Sequence, residues 1–431
     1  MTIAFLIVGC DKKEETYSTD FYPRIFDRTG VFTSPSQIIS EGDTANFSGL
    51  LFSPAGNVDI TWKVDGVEVS KDTAYAFAPT TGGEFILTLE VANAGNVTSR
   101  KSTILVNPTA YTLKPYTHVS MSYLSEGGTV ANIDYNTVTH VAFKCARVLP
   151  NGMLDVMAGQ TNQAADELVA RSHINGIAVL LGISGRLTGL DGWALYESND
   201  FGNAISNPTT RAVVVQNVVD YVTARRMDGV DIMMTDINSG VYSANLAAIG
   251  PFLTELKAAL PAEALVTVTV GTSWQHWEYP NLTAADWINV RGFENGLTVG
   301  PGAARGQASP FDFMTAGANI WLNKGYPANK IVLGIPAFGL RYDAIDADGN
   351  NLSWASYSYL TYQQILEADS EAHNKDYINV AHGVYFNGIP LVKQKAAYIK
   401  ANGFKGAYLW AGDYDVLGEK SLMGTIFNEL K

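Results

Sequence analysis

After Pro108 the sequence falls into a rhythm that few folds can satisfy. Eight short, mostly apolar runs follow one another: HVSMSYL, HVAFKCA, GIAVLLGIS, GVDIMMT, LVTVTVG, WINVRGF, KIVLGIPAF and GAYLWAG. Apolar runs of this kind read as strands covered on both faces, the situation of a parallel sheet. Stretches of helical period lie between them. RAVVVQNVVDYVTARR and PLVKQKAAYIKANG are two, each with cations in its last turn, where the helix dipole favours them. Strand–helix alternation repeated eight times predicts an α/β fold, a (β/α)₈ barrel, over residues 116–431. A doubly wound sheet is the competing arrangement, but no glycine-rich nucleotide fingerprint follows the first strand.

The chain before the barrel has a different texture. Residues 30–108 carry short alternating runs between turn residues. ITWKV meets an Asp65-Gly66 hairpin signal and then VEVS, FILTLEV follows Gly82-Gly83, and STILV closes the segment. This predicts a small all-β sandwich, and the stretch from Tyr75 to Val91 resembles immunoglobulin-like or PKD-like modules of secreted carbohydrate-active proteins. Such a module is usually a spacer. Residues 11–29 read as a linker. Residues 1–10 end in AFLIVGC, which resembles a bacterial lipobox; cleavage before Cys10 would leave a lipidated cysteine. With the charged start of DKKEETYSTD, which resembles the export signals of Bacteroidetes surface lipoproteins, the expected location is the outer membrane at the bacterial cell surface. No other segment reaches the ~18 apolar residues needed to span a bilayer.

Composition narrows the partners. Forty-two acidic against 29 basic residues give a net charge of −13, which repels the phosphates of nucleic acid. Two cysteines, Cys10 and Cys145, are too few for a disulfide framework, and Cys145 sits in a strand run. The six histidines show no ligand spacing, DADGNN at 346–351 reads as a turn rather than a calcium loop, and nothing calls for a cofactor.

Barrel chemistry sits where strands end, at the C-terminal face. The fourth strand reads Asp228-Gly229-Val230-Asp231-Ile232-Met233-Met234-Thr235-Asp236. It resembles the DGxDxDxE strand of family-eighteen glycosidases, the chitinases and endo-β-N-acetylglucosaminidases. KIVLGIPAFGLRY is similar to that family's seventh strand and GAYLWAGDYD to its eighth, while Gly182-Ile183-Ser184-Gly185 stands where the third has Ser-x-Gly-Gly. The resemblance implies that the glutamate of the motif is the general acid. The aspartate beside it orients the substrate's N-acetyl group, whose carbonyl oxygen attacks the anomeric carbon. Here Asp228, Gly229 and Asp231 match, but Met233 replaces that aspartate and Thr235 the acid. A hydroxyl does not release its proton near neutral pH, and a thioether does not polarise an amide. On the sixth strand the family's Met-x-Tyr-Asp is Arg291-Gly292-Phe293-Glu294, which keeps the ring and loses the hydroxyl. Asp236 is the nearest other carboxylate. One residue on, a regular strand turns it to the opposite face.

What remains suits a sugar, since aromatic faces stack on pyranose rings while carboxylates and guanidinium groups bond hydroxyls. Trp410 matches the tryptophan that floors the family's pocket. The expected glycan-binding set is Tyr123, Asp231, Trp274, Phe293, Glu294, Arg341, Tyr342 and Trp410, with Trp277, Tyr279, Trp354, Tyr357 and Tyr359 as further aromatics that equally suit core packing. The first expectation is a non-catalytic surface lipoprotein that captures N-acetylglucosamine-containing glycans, such as chitin oligomers or N-glycans. The alternative is an active hydrolase with a displaced acid, Asp236 or Glu294. A third is a scaffold for a partner such as a neighbouring glycan-import complex.

Overall fold

The computed structural model describes residues 22–32, 36–125, 127–156, 160–184, 198–233, 243–272, 276–294 and 296–431. They form two compact units, divided between Val106 and Asn107.

The first unit is all-β, as its alternation predicts. A five-stranded sheet runs in the order Ser36–Ser40, Asn96–Asn107, Gly83–Asn93, Asp59–Val64, Val67–Ser70. Two further strand pairs, Arg24–Asp27 with Leu50–Ser53 and Ala45–Phe47 with Tyr75–Phe77, accompany it, an arrangement consistent with a small sandwich. Asp65 and Gly66 both take positive φ, 48° and 83°, the conformation a two-residue hairpin turn demands. Trp62 is fully buried at the centre, with Phe47 and Tyr75 at centroid distances of 5.8 and 5.7 Å.

The second unit is the barrel. Its strands are β1 (Val119–Leu124), β2 (His140–Val148), β3 (Ala178–Ser184), β4 (Gly229–Met233), β5 (Leu265–Val270), β6 (Ile288–Val290), β7 (Ile331–Pro336) and β8 (Gly406–Trp410). Each pairs in parallel with its sequence neighbour, and β1 pairs with both β2 and β8, so the sheet closes. All eight apolar runs therefore became barrel strands. Both expected helices form as well, at Pro208–Arg225 and Ile389–Ala401. The first starts where the Asn207 side chain accepts the Thr209 N–H and Pro208 needs no donor partner, and it buries Val214, Val215, Val218 and Val222.

Closure demands glycine where large interior side chains meet. A Cβ on Gly334 would lie 2.5 Å from the Tyr408 ring and 2.7 Å from Phe293. Between β7 and the helix Ile389–Ala401 the chain inserts a four-stranded sheet in the order Tyr357–Thr361, Phe338–Tyr342, Val384–Tyr385, Tyr377–Ile378. Among the described residues no helix is long and apolar enough to cross a membrane.

Candidate functional site

Strand alternation puts a polar layer in the middle of the barrel. Asp231 on β4 pairs in register with Thr267, and Met233 with Thr269. The Asp231 carboxylate is fully buried and receives four donors from three strands. Thr267 Oγ1 (2.6 Å) and Asn289 Nδ2 (3.0 Å) donate to one oxygen; Tyr123 OH and Thr269 Oγ1 (both 2.7 Å) donate to the other. Burial still holds its carboxyl above the ordinary range, against the pull of those four bonds. Burial and the neighbouring Asp231 charge likewise push the Tyr123 hydroxyl well up.

This layer corrects one expectation and redefines another. Tyr123 does not present its hydroxyl to a ligand: the residue is fully buried and its OH lies within the Asp231 layer. Asp231 is likewise a framework carboxylate whose four contacts are all protein groups. One inward step higher, Met233 is almost wholly buried, and its sulfur lies 3.2 Å from the place a Cβ on Gly182 would occupy. The interior surface of β4 above Asp231 is thus a thioether, as the sequence implied. Thr235, Asp236, Trp274 and Cys10 lie outside the described residues.

Asp228 belongs to the other end of the barrel. It precedes β4, roughly 16 Å below Met233 at ~3.3 Å per residue. There its carboxylate accepts the Val179 N–H (2.7 Å) and the Tyr111 hydroxyl, and faces His173 Nε2 at 3.2 Å. The Tyr111 and His173 rings stack at 3.7 Å. Although it opens the motif, Asp228 ties the N-terminal ends of β3 and β4 together and lies far from the face where barrel chemistry occurs.

The C-terminal rim is built just past β6. Arg291 lies over the Phe293 ring, 4.6 Å from its centroid, and binds one oxygen of Glu294; Tyr359 OH, from the insertion, binds the other. Glu294 takes a left-handed backbone (φ 64°), an uncommon state for a side-chain-bearing residue, and its N–H donates to Ser309 Oγ at 2.9 Å. Phe293 itself is buried between Phe338 and Tyr408, at 5.9 and 6.1 Å. Trp410 is 3% exposed, its ring 5.2 Å from Tyr123.

Two other aromatics are structural: Tyr342, expected at the glycan, and Tyr279, left open between glycan and core. Tyr342 is fully buried; its hydroxyl donates to Thr298 O (2.9 Å) and accepts from Gly306 N (3.2 Å), so it fastens the loop after β6 to the insertion. Tyr279 is buried against Trp321, and its hydroxyl accepts the Gly271 N–H. Arg341, on the insertion sheet, is about one-third exposed and pairs with Asp343 at 2.7 Å. Trp277 and Trp354 are exposed, at 54% and 65%.

A profile of "Glycosyl hydrolases family 18" matches residues 93–415. The chain belongs to this family. Relatives include an endochitinase of Metarhizium robertsii, 25% identical over 280 residues, which are 56% of this chain and 64% of that protein. A probable chitinase 10 of Drosophila melanogaster is 20% identical over 66% of this chain and 14% of its own length. The chain therefore spans less than two thirds of either relative. Among solved structures, the family 18 chitinase ChiB of Flavobacterium johnsoniae shares the fold, with TM-score 0.59 and 22% identity over 74% of this chain and 94% of that one. A chitinase from Bacteroides thetaiotaomicron gives 0.58 and 21% over 73% and 96%.

Within this family 18 barrel, sequence reasoning passed over Thr267, Thr269 and Asn289. Their signal was present, because LVTVTV alternates hydroxyl and apolar side chains inside a strand otherwise read as uniformly apolar. In the sequence Arg291 shows only as a departure from the motif, and Tyr359 only as one of several aromatics. Joining them to Glu294 required the insertion to return over β6, which no local pattern encodes.

Proposed function

We propose that the barrel is a non-catalytic receptor for N-acetylglucosamine-containing glycans. The observation that carries this reading is the interior face of β4. It offers one carboxylate already saturated by four donors and then a methionine, and the sequence continues to threonine at the acid position. Substrate-assisted hydrolysis needs a proton donor at the leaving oxygen and a carboxylate at the acetamide. At the rim Arg291, Glu294 and Tyr359 supply hydrogen-bonding groups, and Trp410, although 3% exposed, matches the tryptophan that floors the family's pocket. The ligand class follows the family. A class V chitinase of Nicotiana tobaccum, with TM-score 0.61 and 19% identity to this chain, was solved in complex with NAG4. The same barrel also occurs in a protein named as a chitinase-like agglutinin, from Robinia pseudoacacia, with TM-score 0.59 and 18% identity. The lipobox-like run ending at Cys10 supports tethering to the outer membrane at the bacterial surface, with the all-β unit as an immunoglobulin- or PKD-like spacer.

The second reading keeps activity and moves the acid to Asp236 or Glu294. Glu294 favours it by its place at the rim, but both its oxygens already have partners. Protein lacking residues 1–20 is incubated with chitin oligosaccharides and N-glycosylated proteins, then scored for products and for calorimetric binding. Binding without product, weakened in Trp410→Ala, is the expected result. Product formation that disappears in Asp236→Asn or Glu294→Gln overturns it in favour of an enzyme.

A further inference from the structure

Behind Glu294 lies a polar network that the glycan-binding reading does not use. Lys395 is fully buried on the helix Ile389–Ala401, and its ammonium donates to Ser309 O (2.8 Å) and Asn387 Oδ1 (2.6 Å). Asn387, also buried, donates to the same Ser309 carbonyl at 3.1 Å. The Ser309 N–H goes to Gln307 Oε1 at 3.1 Å, and its hydroxyl accepts the N–H of Glu294. Every polar atom of Ser309 is thereby engaged, and the last link reaches the residue in the left-handed backbone. Such a conformation persists where its surroundings over-determine it, and it gathers at ligand sites.

We propose that Lys395, acting through Ser309, is a positioning residue: it fixes the backbone of Glu294 so that its carboxylate is held at the glycan-binding rim between Arg291 and Tyr359. This rests on the reading of that rim as the ligand site. A buried ammonium is a costly way to hold a loop, since neutral donors would serve packing alone. The charged groups that face it are Asp376 and Asp312, and burial nevertheless brings its amine down to about 7. Lys395 is therefore charged below neutrality and neutral above it. The hold on Ser309 O, and through it on Glu294, is stronger on the acid side.

The test separates positioning from ligand identity. In the wild-type chain, the backbone amide resonance of Glu294 is followed by NMR from pH 5.5 to 9, beside the Lys395 side-chain signal. The expected result is that both move with one midpoint near 7, and that the Glu294 movement is lost in Lys395→Met and in Ser309→Ala. Calorimetry with triacetylchitotriose should show both variants weakened about tenfold at pH 6, the effect of a lost buried hydrogen bond, with a smaller difference at pH 8.5. A Glu294 amide that ignores Lys395, or moves equally in Lys395→Met, overturns the proposal. If the amide follows Lys395 but no form of the protein binds the sugar, the positioning role stands and the glycan-binding reading falls.

Discussion

Asp231 and Glu294 are both acids on barrel strands or just beyond them, yet they are held in opposite ways. Asp231 lies inside the barrel and is bound only by uncharged donors, all from β1, β5 and β6. Glu294 lies past the end of β6 and is bound by a cation, by a tyrosine from the insertion, and through its backbone by a loop serine. The first arrangement is a product of strand register alone. The second exists only because an insertion folds back onto the loop after β6. Register is fixed by the pleat and resists change, whereas a rim made of loops is where a family can alter its chemistry without rebuilding the barrel.

The contrast can be broken most forcefully at its centre. Asp231→Leu leaves four buried donors without their acceptor and should destabilise the barrel by about 3–5 kcal/mol, read as a lowered denaturant midpoint. A loss below about 1 kcal/mol would mean the layer re-pairs freely and is not the framework described.

Lys395 offers the next largest effect, and its sign is fixed. Its folded value of about 7 lies below the ordinary lysine value of 10.5. Between those values the unfolded chain holds the proton and the folded chain does not. Stability should therefore rise as pH climbs through that window, by a total on the order of a few kcal/mol. Unfolding at a series of pH values should show the rise in wild type and a flatter profile in Lys395→Met. A wild-type profile that falls over this range would contradict the burial of the amine.

At the rim, Glu294→Gln keeps the shape and removes the charge. It should cost about 3 kcal/mol of stability, because it leaves the nearly buried Arg291 guanidinium without its anion, and also weaken triacetylchitotriose about tenfold. Binding left at the wild-type level would erase the distinction between the two acids. Smallest of all, Tyr359→Phe removes one hydrogen bond to Glu294 and should weaken binding by about threefold to tenfold, with the melting temperature nearly unchanged.

Much of the molecule is legible in one dimension because its signals are local. The apolar runs and helical stretches give the barrel, Asp65-Gly66 gives the first unit's hairpin, and Met233 and Thr235 are read directly off the chain. The sequence misleads where a residue's type suits two environments. Tyr342, expected at the sugar, carries a ring fit for it and a hydroxyl fit for backbone, and the fold uses the hydroxyl, as it does for Tyr279, which the sequence leaves open between sugar and core. Asp228 sits in the motif but at its lower end, a difference of strand height that spacing alone does not rank.

The sequence by itself determined that this chain forms eight parallel strands with helices outside, and that methionine at 233 and threonine at 235 follow Asp231 along the chain. Only the tertiary structure decided that Asp231 is saturated, that Tyr342 is a fastener, and that Arg291, Glu294 and Tyr359 at the rim connect through Ser309 to the buried Lys395. The physical reason is range. Pleat and helical period act between neighbours in the chain, while the Tyr359–Glu294 bond spans 65 residues and the Lys395–Ser309 bond spans 86, distances closed only when the barrel and its insertion have packed.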